Sequence, residues 1–240
     1  MKHIVLGSIG ALCVVAVPFA ASADLLSVDQ SELNAATGTI VFNAGQIGAY
    51  ADIPYLVSSG PFAGTEIVFG SYFQGQTPQG VDPVTIPGPP TPGQPLLLQY
   101  DGNDYIQVVD DAASPGNPVL AGGPVTFRQP ISILFTTPVI ALGLTVGYLD
   151  QVGAVTIDAY DADGNEIGSV TNDTTGFQNF GLQASYGPLI SGLTIQGTDP
   201  AGFGIDNVFL ATPVPEPTGL VPLLAGIGGL MMRRRVPRNA

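Results

Sequence analysis

Cysteine, histidine and lysine occur once each in the 240 residues, and tryptophan not at all. Lys2, His3 and Cys13 all stand within the first 23 residues, a stretch that reads as removable, so the mature chain is expected to carry none of the three. Without an imidazole there is no Ser-His-Asp triad, without a thiol no cysteine nucleophile, and without a lysine no Schiff base. Zinc sites of the ordinary Cys/His kind are excluded on the same ground. The lack of disulfides carries no weight against export, because a domain of this length buries enough core without covalent staples.

The opening residues, MKHIVLGSIGALCVVAVPFAASA, place Lys2 before an apolar run and end on Ala21, Ser22 and Ala23. A signal peptidase accepts such a small-x-small ending, so residues 1–23 read as a cleaved secretory signal with the mature chain starting near Asp24. The run is short for an uncleaved anchor, which wants about 20 apolar residues. Cys13 lies inside the run rather than at its exit, which argues against lipidation and for its loss with the signal.

Positive charge is nearly missing from the body. Between Asp24 and Thr212 eighteen acidic residues face one basic residue, Arg128, while the other five basic residues lie at the chain ends. Such a surface repels phosphate backbones and excludes a nucleic-acid partner. The plain reading of the acid excess is solubility; the sharper one is divalent cation binding, since oxygen-rich acidic loops suit calcium. Arg128 is the single cation available to an acidic sugar, or the neutraliser of a nearby carboxylate.

Glycine and proline are abundant, at 32 and 22 residues, and no long segment repeats apolar residues at helical spacing. The body is therefore expected to be all-β. Runs of Val, Ile, Thr, Phe and Tyr bounded by turn residues predict strands over Thr39–Asn43, Thr65–Phe69, Pro95–Tyr100, Asp104–Val109, Val125–Gln129 and Ile131–Thr136. They continue over Val139–Leu149, Ala154–Tyr160, Glu166–Val170, Phe177–Leu182, Leu189–Ile195 and Phe203–Leu210. That many short strands suit two packed sheets, a jelly-roll-like sandwich over residues 24–212, rather than a parallel sheet with helices. A short helix is expected from Asp29 to Leu33, where SVDQSELNAA carries cap-like residues. The proline-rich loop 85–95, TIPGPPTPGQP, cannot sit in a central ladder, because proline lacks the amide hydrogen. It reads as an exposed insertion between strands or a stiff polyproline-like spacer.

Several groups of residues carry enough oxygen to suggest chemistry. Asp161, Asp163, Asn165 and Glu166 crowd the turn of the hairpin Ala154–Thr171 and resemble the start of a calcium loop, but an EF-hand needs glutamate at its twelfth position, where Asn172 stands. Hairpin chemistry explains the same residues without a metal. Asp101, Asn103, Asp104, Asp110 and Asp111 flank the run Tyr105–Val109; two of them would have to face each other across a sugar ring to hydrolyse it. Tyr50, Tyr55, Tyr72, Phe73 and Tyr148 could stack on sugars or simply fill strands. Asp206, with Asn207, lies in the apolar GFGIDNVFL, and a carboxylate there requires a partner, either calcium or backbone amides.

The tail, VPEPTGLVPLLAGIGGLMMRRRVPRNA, orders Pro215, Glu216 and Pro217, an apolar helix over 219–232 and the cluster Arg233, Arg234 and Arg235. The arginines would hold the end on the cytoplasmic side while the apolar stretch inserts transiently as a short transmembrane helix. In motif, order and spacing this tail, residues 213–240, resembles that of the PEP-CTERM family of exported bacterial proteins. The resemblance implies recognition by an exosortase, a membrane protease-transferase that cuts near the motif and passes the protein to the surface or exopolysaccharide of a Gram-negative cell. The body also resembles the β-sandwich found before such tails, through TIVFNAG, YDADGNEIGS and GFGIDNV; the acid often found after the phenylalanine of the first is Asn43 here, against a calcium site shared with Asp206. The reading that follows is a non-enzymatic surface or matrix protein, handled by signal peptidase and exosortase and associated with exopolysaccharide or biofilm. The alternatives are a secreted carbohydrate-active enzyme with paired carboxylates and a calcium-stabilised adhesion or carbohydrate-binding module.

Overall fold

The computed structural model describes residues 24–35, 39–42, 46, 54–80, 84–100, 106–110, 117–123, 126–185 and 189–213. Residues 1–23, where a signal is expected, and the tail, with Pro215, Glu216, Pro217, the apolar stretch 219–232 and Arg233 to Arg235, lie outside them. Among the described residues no helix is long and apolar enough to cross a membrane.

Among the described residues fifteen strands follow one another: β1 (Leu25–Val28), β2 (Leu33–Ala35), β3 (Tyr55–Leu56), β4 (Glu66–Gly70), β5 (Tyr72–Phe73), β6 (Leu98–Gln99), β7 (Ile106–Val109) and β8 (Val119–Gly122). The longer ones come later: β9 (Ile131–Val139), β10 (Ala141–Leu149), β11 (Val155–Tyr160), β12 (Glu166–Thr171), β13 (Gly176–Ala184), β14 (Ile190–Gly197) and β15 (Gly204–Pro213). One sheet runs β1-β13-β10-β15-β8-β7, with β2 also on β15; the other runs β12-β11-β14-β9-β4-β3. Every pairing within them is antiparallel. From β8 to β15 the chain winds between the sheets so that β8-β15-β10-β13 faces β9-β14-β11-β12, which is the winding of a jelly roll.

Alternation explains why these segments pair. Ile131, Ile133 and Phe135 of β9, Val155, Ile157 and Ala159 of β11, and Phe180, Leu182 and Ala184 of β13 all turn into the shared core. Each large apolar side chain so buried contributes about 1.5–3 kcal/mol. Phe42, Tyr55 and Phe69 pack edge-to-face there, with centroids 5.7–6.1 Å apart.

Four expectations need correcting. Residues 126–129 form a turn, with Phe127 in the left-handed region, and not the strand expected over Val125–Gln129; β8, which had not been expected, supplies the ladder instead. Thr39–Asn43 contributes a single bridge, Ile40 to Val208, and Asn43 lies outside the described residues. Pro95–Tyr100 narrows to β6. The helix at Asp29 is one 3-10 turn, Gln30–Glu32, whose cap is the Asp29 carboxylate accepting from Ser31 N–H at 2.8 Å. That bond holds the Asp29 carboxyl below its ordinary range.

The proline-rich loop 85–95 is an insertion between β5 and β6, but it is fastened down. Ile86 and Pro90 are buried. The Ile86 N–H donates to Gln196 Oε1 at 2.6 Å and its carbonyl accepts from Gln196 Nε2 at 3.0 Å. Beneath this cover Phe73 and Leu96 pack on Tyr160, whose hydroxyl accepts from Gln76 Nε2 at 3.1 Å. Burial pushes the Tyr160 hydroxyl pKa up, with the Asp158 charge adding to it. The outer face of the β12-to-β3 sheet is thus covered by the chain's own insertion over β11 and β14, around Tyr160 and Gln196.

Candidate functional site

The outer face of the other sheet is covered at one end and carries a pocket beyond it. At one end the N-terminal strap lies across it: Leu33 packs with Ala141, Phe209 and Ala211. Gln30 Nε2 donates to the carbonyls of Leu144 and Phe180 at 2.9 and 3.1 Å, which ends the strap. Beyond that point lies a pocket of about 290 Å³, lined by Asn117 and Val119 from β8 and its approach, Thr145, Gly147 and Tyr148 from β10, Phe177 from β13, and Gly204, Asp206 and Asn207 from β15.

Two bulges build this pocket. In β10 the core-facing residues are Leu142, Leu144 and Val146, so strict alternation would send Tyr148 inward. The pairing with β13 slips between Val146 and Leu149, Tyr148 takes φ 69°, and Leu149 occupies the core in its place. In β15 the core residues are Ile205, Val208 and Leu210; the pairing with β10 slips beside Asn207, which takes φ 54°. Asp206 and Asn207 therefore both reach the outer side. Asparagine tolerates the left-handed region, whereas for tyrosine it costs on the order of 1–2 kcal/mol, a strain typical of functional positions.

Phe177 is 61% exposed, although it is one of the larger apolar residues of the chain. Its ring lies against Gly147, where a Cβ would come within 2.5 Å of Cε1, so only glycine lets the ring rest on β10. The Tyr148 ring stands beside it, with centroids 5.7 Å apart and planes tilted by 58°. Around the pair stand an amide (Asn117), a hydroxyl (Thr145), a carboxylate (Asp206) and a second amide (Asn207). Thr145 is oriented by donating to Asn179 Oδ1 at 2.8 Å.

Asp206 Oδ1 accepts from Phe42 N–H at 3.2 Å, and the Asn207 N–H supports the carboxylate as well. Backbone amides, one of the two partners the sequence suggested, are therefore what the fold supplies. Phe42 is held for this role by its ring, which is buried against Tyr55 and Phe69. Desolvation nonetheless dominates and raises the Asp206 carboxyl above its ordinary value. The raised value sets a sign for pH. Asp206 loses its proton in the unfolded chain near 3.8, before it does so in the folded one, so its contribution to stability is fully present below that value and is lost as pH rises through the folded one. Asp206→Asn keeps the acceptor oxygen and removes the charge. Its melting temperature is expected to match the native protein at about pH 3 and to exceed it by about one or two degrees at pH 7, a modest gain because the carboxylate is half-exposed. A variant less stable than the native protein at pH 7 would contradict this.

The other residues singled out by sequence are scattered. Asp161 is buried in the β11–β12 turn, where its carboxylate accepts from Asp163 N–H, Asn165 N–H and Asn165 Nδ2, each at 2.9 Å. Asp163 and Glu166 are exposed beside it. Gly164, at φ 72°, makes the turn. Among the described residues no three His, Cys, Asp or Glu side chains are grouped as a metal would need. Of the described aromatics in that set, Tyr55 serves the core, Phe73 lies under the insertion, Tyr72 is half-buried in β5, and Tyr148 reaches the pocket. Asp110 is exposed at the end of β7, and Tyr50, Asp101, Asn103, Asp104 and Asp111 lie outside the described residues. Half-buried Arg128 donates to the Pro200 carbonyl. Phe177 was read from sequence only as the start of a strand. Its odd spacing from Phe180 was the available signal, since two residues three apart in a strand cannot face the same side.

No family model matches the chain, and no curated protein does. Two solved structures of family 29 carbohydrate-binding modules show a loose likeness. The first, a mutant studied for its ligand recognition, shares 12% identity over 66% of this chain and 97% of its own, with a TM-score of 0.28. The second shares 12% over 65% and 98%, with a TM-score of 0.27. Superpositions this loose do not bear on which ligand this chain takes.

Proposed function

We propose that the chain is an exported, non-enzymatic surface or matrix protein whose jelly-roll body binds extracellular polysaccharide through the Phe177–Tyr148 pocket. The observation that carries the reading is an exposed phenylalanine laid on a glycine beside a strained tyrosine, ringed by amide, hydroxyl and carboxylate groups. An apolar ring face with convergent polar groups is what a pyranose presents and requires in return. Asp206 is the one carboxylate among the described lining residues, and glycoside hydrolysis ordinarily uses two. The acid excess of the body keeps such a surface soluble and free of nucleic acid. Delivery falls to residues 1–23, as substrate of signal peptidase, and to the tail, which inserts transiently and offers Pro215, Glu216 and Pro217 to an exosortase while Arg233, Arg234 and Arg235 hold the cytoplasmic side.

A pull-down with a panel of neutral, amine-bearing and uronate polysaccharides tests the binding reading, and fractionation of cells expressing a tail-deleted chain tests the delivery. Retention on at least one polymer class, lost in Phe177→Ala, is the expected result, together with failure of the tail-deleted chain to reach the surface. Retention on none would remove the first part, and an unchanged destination the second.

A further inference from the structure

We infer that the pocket selects a sugar unit carrying a free amine over its N-acylated form and over uronic acids, an inference that rests on the polysaccharide reading above. The charge distribution of the site points that way. Asp206 presents a half-buried carboxylate to the pocket, and the other described polar lining groups, Asn117, Thr145 and Asn207, are neutral. No basic side chain is among the described lining residues. The only basic residue between Asp24 and Thr212 is Arg128, which does not line the pocket and is engaged with the Pro200 carbonyl.

An incoming carboxylate would meet that anion and the field of a strongly acidic body, with no cation to receive it. An ammonium group meets three attractive features at once. It pairs with Asp206 through a charge-assisted hydrogen bond, and the faces of Tyr148 and Phe177 attract cations through their ring quadrupoles. A neutral N-acyl group at the same carbon can still donate its amide N–H, but it forfeits the donor's charge and the attraction to the rings. The amides and the hydroxyl then remain for the ring hydroxyls, which is the division of labour expected where one charged group sets selectivity and neutral groups set orientation.

The test is calorimetric titration of the purified full-length protein with a glucosamine pentamer, with its fully N-acetylated counterpart and with oligogalacturonate. The amine-bearing oligomer is expected to bind about tenfold tighter than the N-acetylated one. Oligogalacturonate is expected to give no measurable heat. In Asp206→Asn, with folding verified by its melting curve, the ratio of the two hexosamine affinities is expected to fall to about one. Equal affinities in the native protein would overturn the inference while leaving the polysaccharide reading standing. A tenfold ratio that survives in Asp206→Asn would overturn it as well, because the attraction would then belong to the acidic body as a whole. Failure of all three oligomers to bind would overturn the inference, whereas the polysaccharide reading falls only if the pull-down panel also retains nothing.

Discussion

Replacing Phe177 by alanine is expected to weaken polysaccharide binding by about ten- to a hundredfold while leaving the fold intact. The two effects separate because the ring is mostly exposed and rests on a strand that does not depend on it. It is absent from the core cluster, and its strand is anchored through Phe180 and Leu182 on the opposite face. Surface changes of this kind stay within about 0.5 kcal/mol in stability. Gly147→Ala approaches the same ring from below, where the new methyl would sit 2.5 Å from Cε1. The exposed ring has room to swing away, so this change also is expected to reduce binding more than stability. Affinity electrophoresis against the retained polymer, run beside thermal melts, reads both quantities. Loss of folding in Phe177→Ala, or undiminished retention, would show that the ring is not the platform.

Replacing Asp199 by alanine is expected to have the opposite profile, a large loss of stability on the order of 3–5 kcal/mol. Asp199 is 1% exposed, yet no cation is needed to explain it. One carboxylate oxygen accepts from Asp150 N–H at 2.8 Å and Gln151 N–H at 3.3 Å, and the other from Ala201 N–H at 2.9 Å. Truncation strands these donors in a buried corner, at about 1–3 kcal/mol for each that finds no water. Asn172 braces the same corner by accepting from Val155 N–H and donating to the Gln151 and Thr174 carbonyls. The corner matters to the pocket, since Asp150 follows β10 directly and fixes the end of the strand that carries Tyr148. Thermal unfolding should therefore show a drop in melting temperature of about 10 °C for Asp199→Ala. Asp163→Ala, at an exposed turn position, should show almost none. A neutral result at Asp199 would mean that the carboxylate is not what holds the corner.

The comparison of Asp199 with Asp206 shows where reading the chain runs out. Both are lone acids, but only Asp206 stands in a run that looks like an apolar strand, GFGIDNVFL, while the TDPAG around Asp199 looks like an ordinary turn. Nothing in TDPAG announces that three amides from two separate segments converge on it. The proline-rich insertion is a similar case. Its prolines exclude it from a ladder, but that Ile86 fastens to Gln196 depends on two residues far apart in sequence meeting across a sheet face.

The amino-acid sequence by itself determined the all-β body, the hairpin around Gly164, most of the long strands, and the absence of imidazole, thiol and amine chemistry from the body. These follow from local quantities: period-two alternation, turn chemistry and composition. Which residues share the pocket was decided by tertiary structure alone. Alternation sends Tyr148 into the core and sets Asn207 on the face opposite Asp206, whereas a slip of register in each of two neighbouring strands turns both outward beside Phe177. A bulge is a property of a pair of strands, fixed by how Val146 and Leu149, or Ile205 and Val208, fill the core against the opposite sheet, and one strand's sequence does not contain its partner.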